Sequence, residues 1–162
     1  MKLDKNIRDK MRGLLPFDGD SIELYTPKEY KEFKFEKINE NGEMVEYIGQ
    51  VPEEFQPVFH LKPWDQEQKE KIEITIEKLQ RDKISTSEKK KVNREINDLC
   101  RQQVINVEKL YDVGKNEFIE VNIEDGCLSK EDWHKIPQKI QTSIYFCLTS
   151  ISGLLSSEIV GL

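Results

Sequence analysis

Residues 133–162 read WHKIPQKIQTSIYFCLTSISGLLSSEIVGL, the most apolar stretch of the chain. Ile136, Ile140, Ile144, Cys147 or Leu148, Ile151 and Leu154 or Leu155 recur at a spacing near 3.6, which predicts a helix with one face for burial. Gly153 interrupts it before a last short element over 156–162. Gln141, Thr142, Ser143, Thr149, Ser150 and Ser152 punctuate the run, and a membrane span needs roughly 20 predominantly apolar residues. The expectation is therefore a core helix and no membrane partner. Ser129-Lys130-Glu131-Asp132 supplies a helix start just upstream, with Trp133 and Pro137 near the first turn.

Working outward, Asp125-Gly126 reads as a turn and Phe118-Ile119-Glu120-Val121 as a short strand. Before Gly114, taken as a helix stop, Val92, Ile96, Leu99, Gln103 or Val104, Val107 and Leu110 or Tyr111 keep a helical period. This predicts a long helix over 88–111 with Lys89, Lys90, Lys91, Arg94 and Glu95 on its polar side. Ile72, Ile76 and Leu79 mark an earlier helix, and Ile84-Ser85-Thr86-Ser87-Glu88 is a capped hinge between the two. Together they predict an αα-hairpin, drawn as a protrusion over 65–113.

From 21 to 62 the texture is that of strands. Ser21–Tyr25, Phe33–Ile38, Val45–Ile48 and Val58–Leu61 alternate apolar and polar residues and are rich in aromatic and β-branched types. Asn39-Glu40-Asn41-Gly42-Glu43 is a hairpin signal, because Asn-Gly accepts the positive φ of tight turns. Residues 1–20 carry Leu3, Ile7, Met11 and Leu14 or Leu15 at helical spacing, then Pro16 and the turn-forming Asp18-Gly19-Asp20. They read as an N-terminal arm or amphipathic helix. The fold expectation is α+β, mostly α-helical: an arm over 1–20, then a single domain over 21–162. Its small antiparallel β portion over about 21–62 precedes the helical hairpin and the apolar C-terminal helix.

Composition limits function. At 162 residues, one domain with a real core is affordable, whereas two would be crowded. The chain is 36% hydrophobic and 35% charged with a net charge of -6, which argues against a general affinity for nucleic acid or anionic lipid. Cys100, Cys127 and Cys147 are an odd, widely spaced set without a CxxC pair, which fits a reducing cytoplasm. The N-terminus lacks the apolar run of a signal peptide.

Little in the sequence points to chemistry. His60 and His134 are far apart and carry no metal-ligand spacing. Glu53-Glu54, Glu124-Asp125 and Glu131-Asp132 read as caps and turns, no phosphate-binding glycine loop occurs, and no cofactor is expected. The cluster Lys89-Lys90-Lys91 with Arg94 has acidic neighbours, so a nucleic-acid site is disfavoured. Aromatic residues say more about binding than about catalysis, and Tyr25, Tyr30, Phe33 and Phe35 crowd the first strand region. Tyr145 and Phe146 are adjacent on a helix and cannot share one face, so one points to a core and the other to a second surface. Trp64 and Trp133 are either partner anchors or ordinary core, with core packing favoured. The candidate partner-binding set is Trp64, Trp133, Tyr145, Phe146, Leu154 and Leu155.

Two stretches carry a family resemblance. Val51-Pro52-Glu53-Glu54-Phe55-Gln56-Pro57-Val58-Phe59-His60-Leu61-Lys62-Pro63-Trp64 leads into a charged helix, and Asp125-Gly126, Trp133, Ile136-Pro137 and the segment from Ile140 to Leu162 form the second. Over about half its length the chain resembles tail assembly chaperones and neighbouring assembly proteins of long-tailed bacteriophages. The resemblance implies a non-catalytic factor in the host bacterial cytoplasm that binds the tape measure protein and tail tube subunits, or another copy of itself. The long charged segment from Lys78 to Lys109, and Ile159-Val160 where an acid is more familiar, depart from the pattern. Two other outcomes stay open: a virion protein at the head-tail joint or capsid, and an inhibitor of a host defence protein.

Overall fold

A computed structural model describes residues 22–81 and 83–153. The expected N-terminal arm, the last element over 156–162, and Leu154 and Leu155 lie outside the described residues. Nine strands and four α-helices follow in order: β1 (Glu23–Tyr25), β2 (Glu32–Ile38), β3 (Met44–Gln50), β4 (Val58–Leu61), α1 (Gln66–Gln80), α2 (Thr86–Arg101), β5 (Val104–Glu108), β6 (Leu110–Asp112), β7 (Glu117–Ile119), β8 (Ile123–Glu124), β9 (Cys127–Leu128), α3 (Lys130–Lys135) and α4 (Gln138–Ile151). Of the described residues 44% are helical, single 3-10 turns included, and 27% are in strands. The fold is thus mixed α+β, not mostly helical.

The difference arises after Arg101. The helix expected to run to Leu110 or Tyr111 stops there, and Val104–Glu108 pairs antiparallel with β4 to form a three-stranded sheet in the order β1-β4-β5. Leu61 pairs with Val104 but His60 pairs with Asn106, so Ile105 is an extra residue bulged out of the ladder. The bulge lets Val104 and Val107 both face the core three residues apart. A kinked strand thereby imitates helical spacing. Gly114, read as a helix stop, lies instead in the connection between β6 and β7.

One core holds the rest together. Phe59, Leu61, Val104 and Val107 of the sheet share a cluster with Ile72 and Ile76 of α1, Val92, Ile96 and Leu99 of α2, and Ile140, Ile144, Leu148 and Ile151 of α4. α1 and α2 lie against each other, and α2 lies against α4. Their buried faces are in the common core. The caps read from the sequence at 84–88 and 129–132 are in place, and the structure adds one at Asp65. Asp65 forms a reciprocal capping box with Gln68, and the Ser85 and Ser129 hydroxyls accept from the Glu88 and Asp132 amides.

Buried polar groups link these layers. Gln103 donates from Nε2 to the carbonyls of Lys62 (2.6 Å) and Pro63 (3.1 Å), accepts from Gln68 Nε2 (3.0 Å), and its own carbonyl accepts from the Lys62 amide (2.8 Å). It latches the end of β4 to α1 and to the start of β5. Arg101, also buried, ion-pairs with Asp98 and donates to the Leu128 carbonyl at 2.9 Å, tying α2 to β9. Asp132 accepts from the Asn122 amide at 2.6 Å, while the Ser129 amide donates to the Asn122 carbonyl, so the small β8–β9 hairpin is fastened to α3.

Candidate functional site

Of the four strands read between 21 and 62, only β1 and β4 join the three-stranded sheet; β2 and β3 form a separate hairpin. Its turn is built by Asn39, whose side-chain carbonyl accepts from the amides of Asn41 (3.0 Å) and Glu43 (2.9 Å), with Gly42 at φ 76°. At the base, the Val51 amide donates to the Lys31 carbonyl. Beyond its own pairing, the hairpin packs chiefly on the helical turn Lys28–Tyr30. No residue of β2 or β3 is buried.

The register sorts the hairpin into two faces. Phe33, Phe35 and Lys37 lie opposite Gly49, Tyr47 and Val45 on one face; Glu32, Lys34, Glu36 and Ile38 lie opposite Gln50, Ile48, Glu46 and Met44 on the other. The second face is mixed and carries a Lys34–Glu46 ion pair at 3.6 Å. The first is an aromatic strip. The Phe35 ring centroid is 5.8 Å from that of Phe33 and 5.7 Å from that of Tyr47, and the Phe33 ring lies over Gly49, where a Cβ would sit 2.3 Å from Phe33 Cζ. Phe33 remains 50% and Phe35 41% exposed. Monomeric domains rarely leave such a contiguous aromatic surface without use.

Phe33 also joins this strip to an open apolar groove of about 780 Å³. Tyr30, Phe33, Val51 and Pro52 line it together with Phe55, Tyr111, Ile136 and Pro137. Phe55, Tyr111 and Phe118 form a second aromatic cluster with centroid separations of 5.0, 5.8 and 5.1 Å. Charged members are few, namely Glu29, Asp112 and Lys135.

The candidates named from the sequence are placed differently. Trp64 is fully buried: its indole N–H donates to the Leu99 carbonyl (3.1 Å), and its amide donates to Ser152 Oγ (2.9 Å). Trp133 is buried too, and its indole nitrogen has no hydrogen-bond partner among the described residues. Both indoles are packed in the core and not at a surface. Tyr145 and Phe146 divide as adjacent helical residues must: Tyr145 is 7% exposed and packs beside Trp64 at 6.2 Å, whereas Phe146 is 50% exposed. Burial drives the Tyr145 hydroxyl well above the usual phenol range, and its oxygen has no hydrogen-bond partner among the described residues. Tyr145 is therefore structural, and Phe146 alone of the described candidates offers a surface.

The histidines and cysteines singled out in the sequence lie on different elements. His60 Nε2 lies 3.0 Å from Glu108 Oε2 across the sheet, and His134 is on an exposed part of α3. Burial pushes the Cys100 thiol far up, which makes it inert at neutral pH. Asp132 feels desolvation first, which raises its pKa. The Asn122 amide, Lys135 and Ser129 outweigh it and hold the carboxyl below the ordinary range. Among the described residues, no three His, Cys, Asp or Glu side chains are grouped to hold a metal ion, and no helix is long and apolar enough to cross a membrane.

Sequence reasoning set Phe33 and Phe35 among the aromatic residues of interest for binding but did not name the strip as an exposed face. It placed Phe33 and Phe35 on a strand, but alternation alone cannot say whether the apolar face meets a second layer. The available signal was Gly49 opposite Phe33, flanked by a dense set of charges: five glutamates and two lysines from 32 to 50. Compared with protein-family models, with curated proteins and with solved structures, the chain matches none.

Proposed function

We propose that this chain is a non-catalytic protein-binding factor that uses the aromatic face of β2–β3 to hold a partner segment, and that its setting is tail assembly in a long-tailed bacteriophage. The observation that supports binding is the strip Phe33, Phe35, Val45 and Tyr47 on an arm with no buried residue. The setting rests on the sequence resemblance. The strip has the composition of a hot spot, and the glutamates around it favour a partner with an apolar face and basic flanks. An amphipathic helix of the tape measure protein, captured in the host cytoplasm before tail tube subunits polymerise, meets that description. Phe146 and the apolar groove lie outside the strip proper and are free for a second contact, with a tube subunit or another copy.

The test is binding between the purified chain and the tape measure protein encoded in the same genome. The expected result is saturable binding that falls at least about tenfold with Phe35→Glu, equivalent to ~1.4 kcal/mol, at an unchanged melting temperature. No binding by the wild-type chain at tens of micromolar overturns the assignment. Retention of the chain in purified particles would favour a virion component over a chaperone.

A further inference from the structure

The groove beside the hairpin has a volume within the roughly 300–1,000 Å³ of clefts that enclose a ligand, yet few polar groups converge in it to orient a small molecule. Its walls are mainly aromatic rings and prolines. We infer that it takes a proline-rich segment of another protein, held in the polyproline II conformation and carrying a basic residue beside its prolines.

Three observations support that occupant. The first is the lining. Tyr30, Phe33, Phe55 and Tyr111 share it with Pro52, Pro57 and Pro137. Phe33 is 50% and Phe55 36% exposed, and the Phe55 and Tyr111 planes cross at 71° with centroids 5.0 Å apart, so the rings offer edges as well as faces. Aromatic-lined grooves are where Pro-x-x-Pro segments dock, because such a segment is already extended and loses little entropy on binding. The second is hydrogen bonding. A β-strand laid on apolar walls would bury N–H groups without acceptors, whereas prolines bring none. A helix has its carbonyls bonded internally, but a polyproline II segment keeps its own free. The Tyr30 hydroxyl, which has no hydrogen-bond partner among the described residues, can donate to one of them.

The third is charge, taken over the whole lining. Lys135 is engaged within its own helix, 3.3 Å from Asp132 and 4.0 Å from Glu131. Glu29 accepts from the Ser143 hydroxyl and Asp112 from the Lys115 amide, and neither carboxylate has an ion-pair partner among the described residues. One neighbours Tyr30 in sequence and the other Tyr111. Two carboxylates without a cation beside aromatic residues are complementary to an Arg or Lys that flanks the prolines. Only Phe33 belongs to both groove and strip, so occupancy of the groove does not depend on whether the strip holds the tape measure protein.

The experiment titrates the full chain into the fluorescein-labelled peptide Arg-Ala-Pro-Pro-Val-Pro-Pro-Ala-Arg and follows anisotropy. Saturable binding tighter than about 100 µM is expected. In the isotopically labelled chain, amide shift changes should concentrate in 51–57 and 110–114. Alanine at the four peptide prolines should weaken binding at least about tenfold, and Phe55→Ala in the chain at least about fivefold. Glu29→Lys, at an exposed position, should weaken binding of this peptide at least about threefold and leave a version with Ala for both Arg unaffected. Equal binding of the proline-free peptide would overturn the proline-rich occupant and give the groove to a helix. Shift changes confined to 33–47, or no binding at about 1 mM, would overturn the inference outright.

Discussion

Helix α4 and the hairpin strands β2 and β3 have the same apolar content, seven residues of fourteen in each, yet α4 is a core element and no residue of the two strands is buried. In α4 the apolar residues share their helix with one charged residue, Lys139. In the strands they share it with five: Glu32, Lys34, Glu36, Lys37 and Glu46. Four of the five lie on the face opposite the aromatic strip, and only Lys37 shares its face, so one side of the hairpin is held in water while the other is free to be covered. Phe33, Phe35 and Tyr47 cluster among themselves at the surface. What separates the arm from the core element here is that no second layer of the described fold packs on its aromatic face.

The largest expected effect breaks the core side of this comparison. Ile144 is fully buried among α2, α4 and the sheet, so Ile144→Asp places an unpaired charge where no partner exists. A loss of ~5 kcal/mol or more, comparable with the whole stability of a small domain, should abolish cooperative unfolding in urea monitored by circular dichroism. Gln103→Leu comes next. It keeps the volume but strands the Lys62 and Pro63 carbonyls and the Gln68 amide, a predicted loss of ~2–4 kcal/mol read from the urea midpoint. If Gln103→Leu were neutral, the polar latch would have no part in joining β4 to the helices.

Asp132 gives a smaller effect with a pH signature. Its native carboxyl is held below the unfolded value of about 3.9, so its stabilising contribution is complete above that value and fades as pH falls through the lower native one. Asp132→Asn should cost ~1–2 kcal/mol at pH 7. The gap to wild type should then narrow as the pH falls below about 4, a trend followed by melting temperature across pH 2–7. A gap independent of pH would mean that the charge is irrelevant and only an acceptor matters.

These effects also show where the sequence was legible. Capping residues at 85 and 129, the Asn39–Glu43 turn and the apolar period of α4 act within a few residues of themselves, and each element formed as read. Val104 and Val107 misled because a bulge at Ile105 gives a strand the spacing of a helix, and the bulge is set by pairing with His60 and Leu61, more than forty residues away. Trp64 and Trp133 were ambiguous for a related reason. An indole serves equally as core or as anchor, and only the Leu99 carbonyl, brought from α2, settles it for Trp64. The strip was not named as an exposed face because exposure is a property of what fails to pack on a strand.

The smallest expected change in stability carries the sharpest test of the arm. Gly49 has ordinary extended pairing with Phe33, and an added methyl would meet the Phe33 ring at 2.3 Å. That ring is half-exposed and can swing aside, and replacing a strand glycine removes backbone entropy from the unfolded chain. Gly49→Ala should therefore leave the melting temperature within about 2 °C of wild type, or raise it slightly. The displaced ring, however, no longer stacks toward Phe35, and the strip loses its continuity with the groove. Partner affinity should fall severalfold, as titration calorimetry would measure. In a Phe33→Ala background the same Gly49→Ala change should have no further effect on affinity, because the ring it displaces is gone. If the two substitutions instead weaken binding independently, Gly49 acts on the backbone of β3 and not through the aromatic face, and the contrast between α4 and the arm would then concern exposure alone, not recognition.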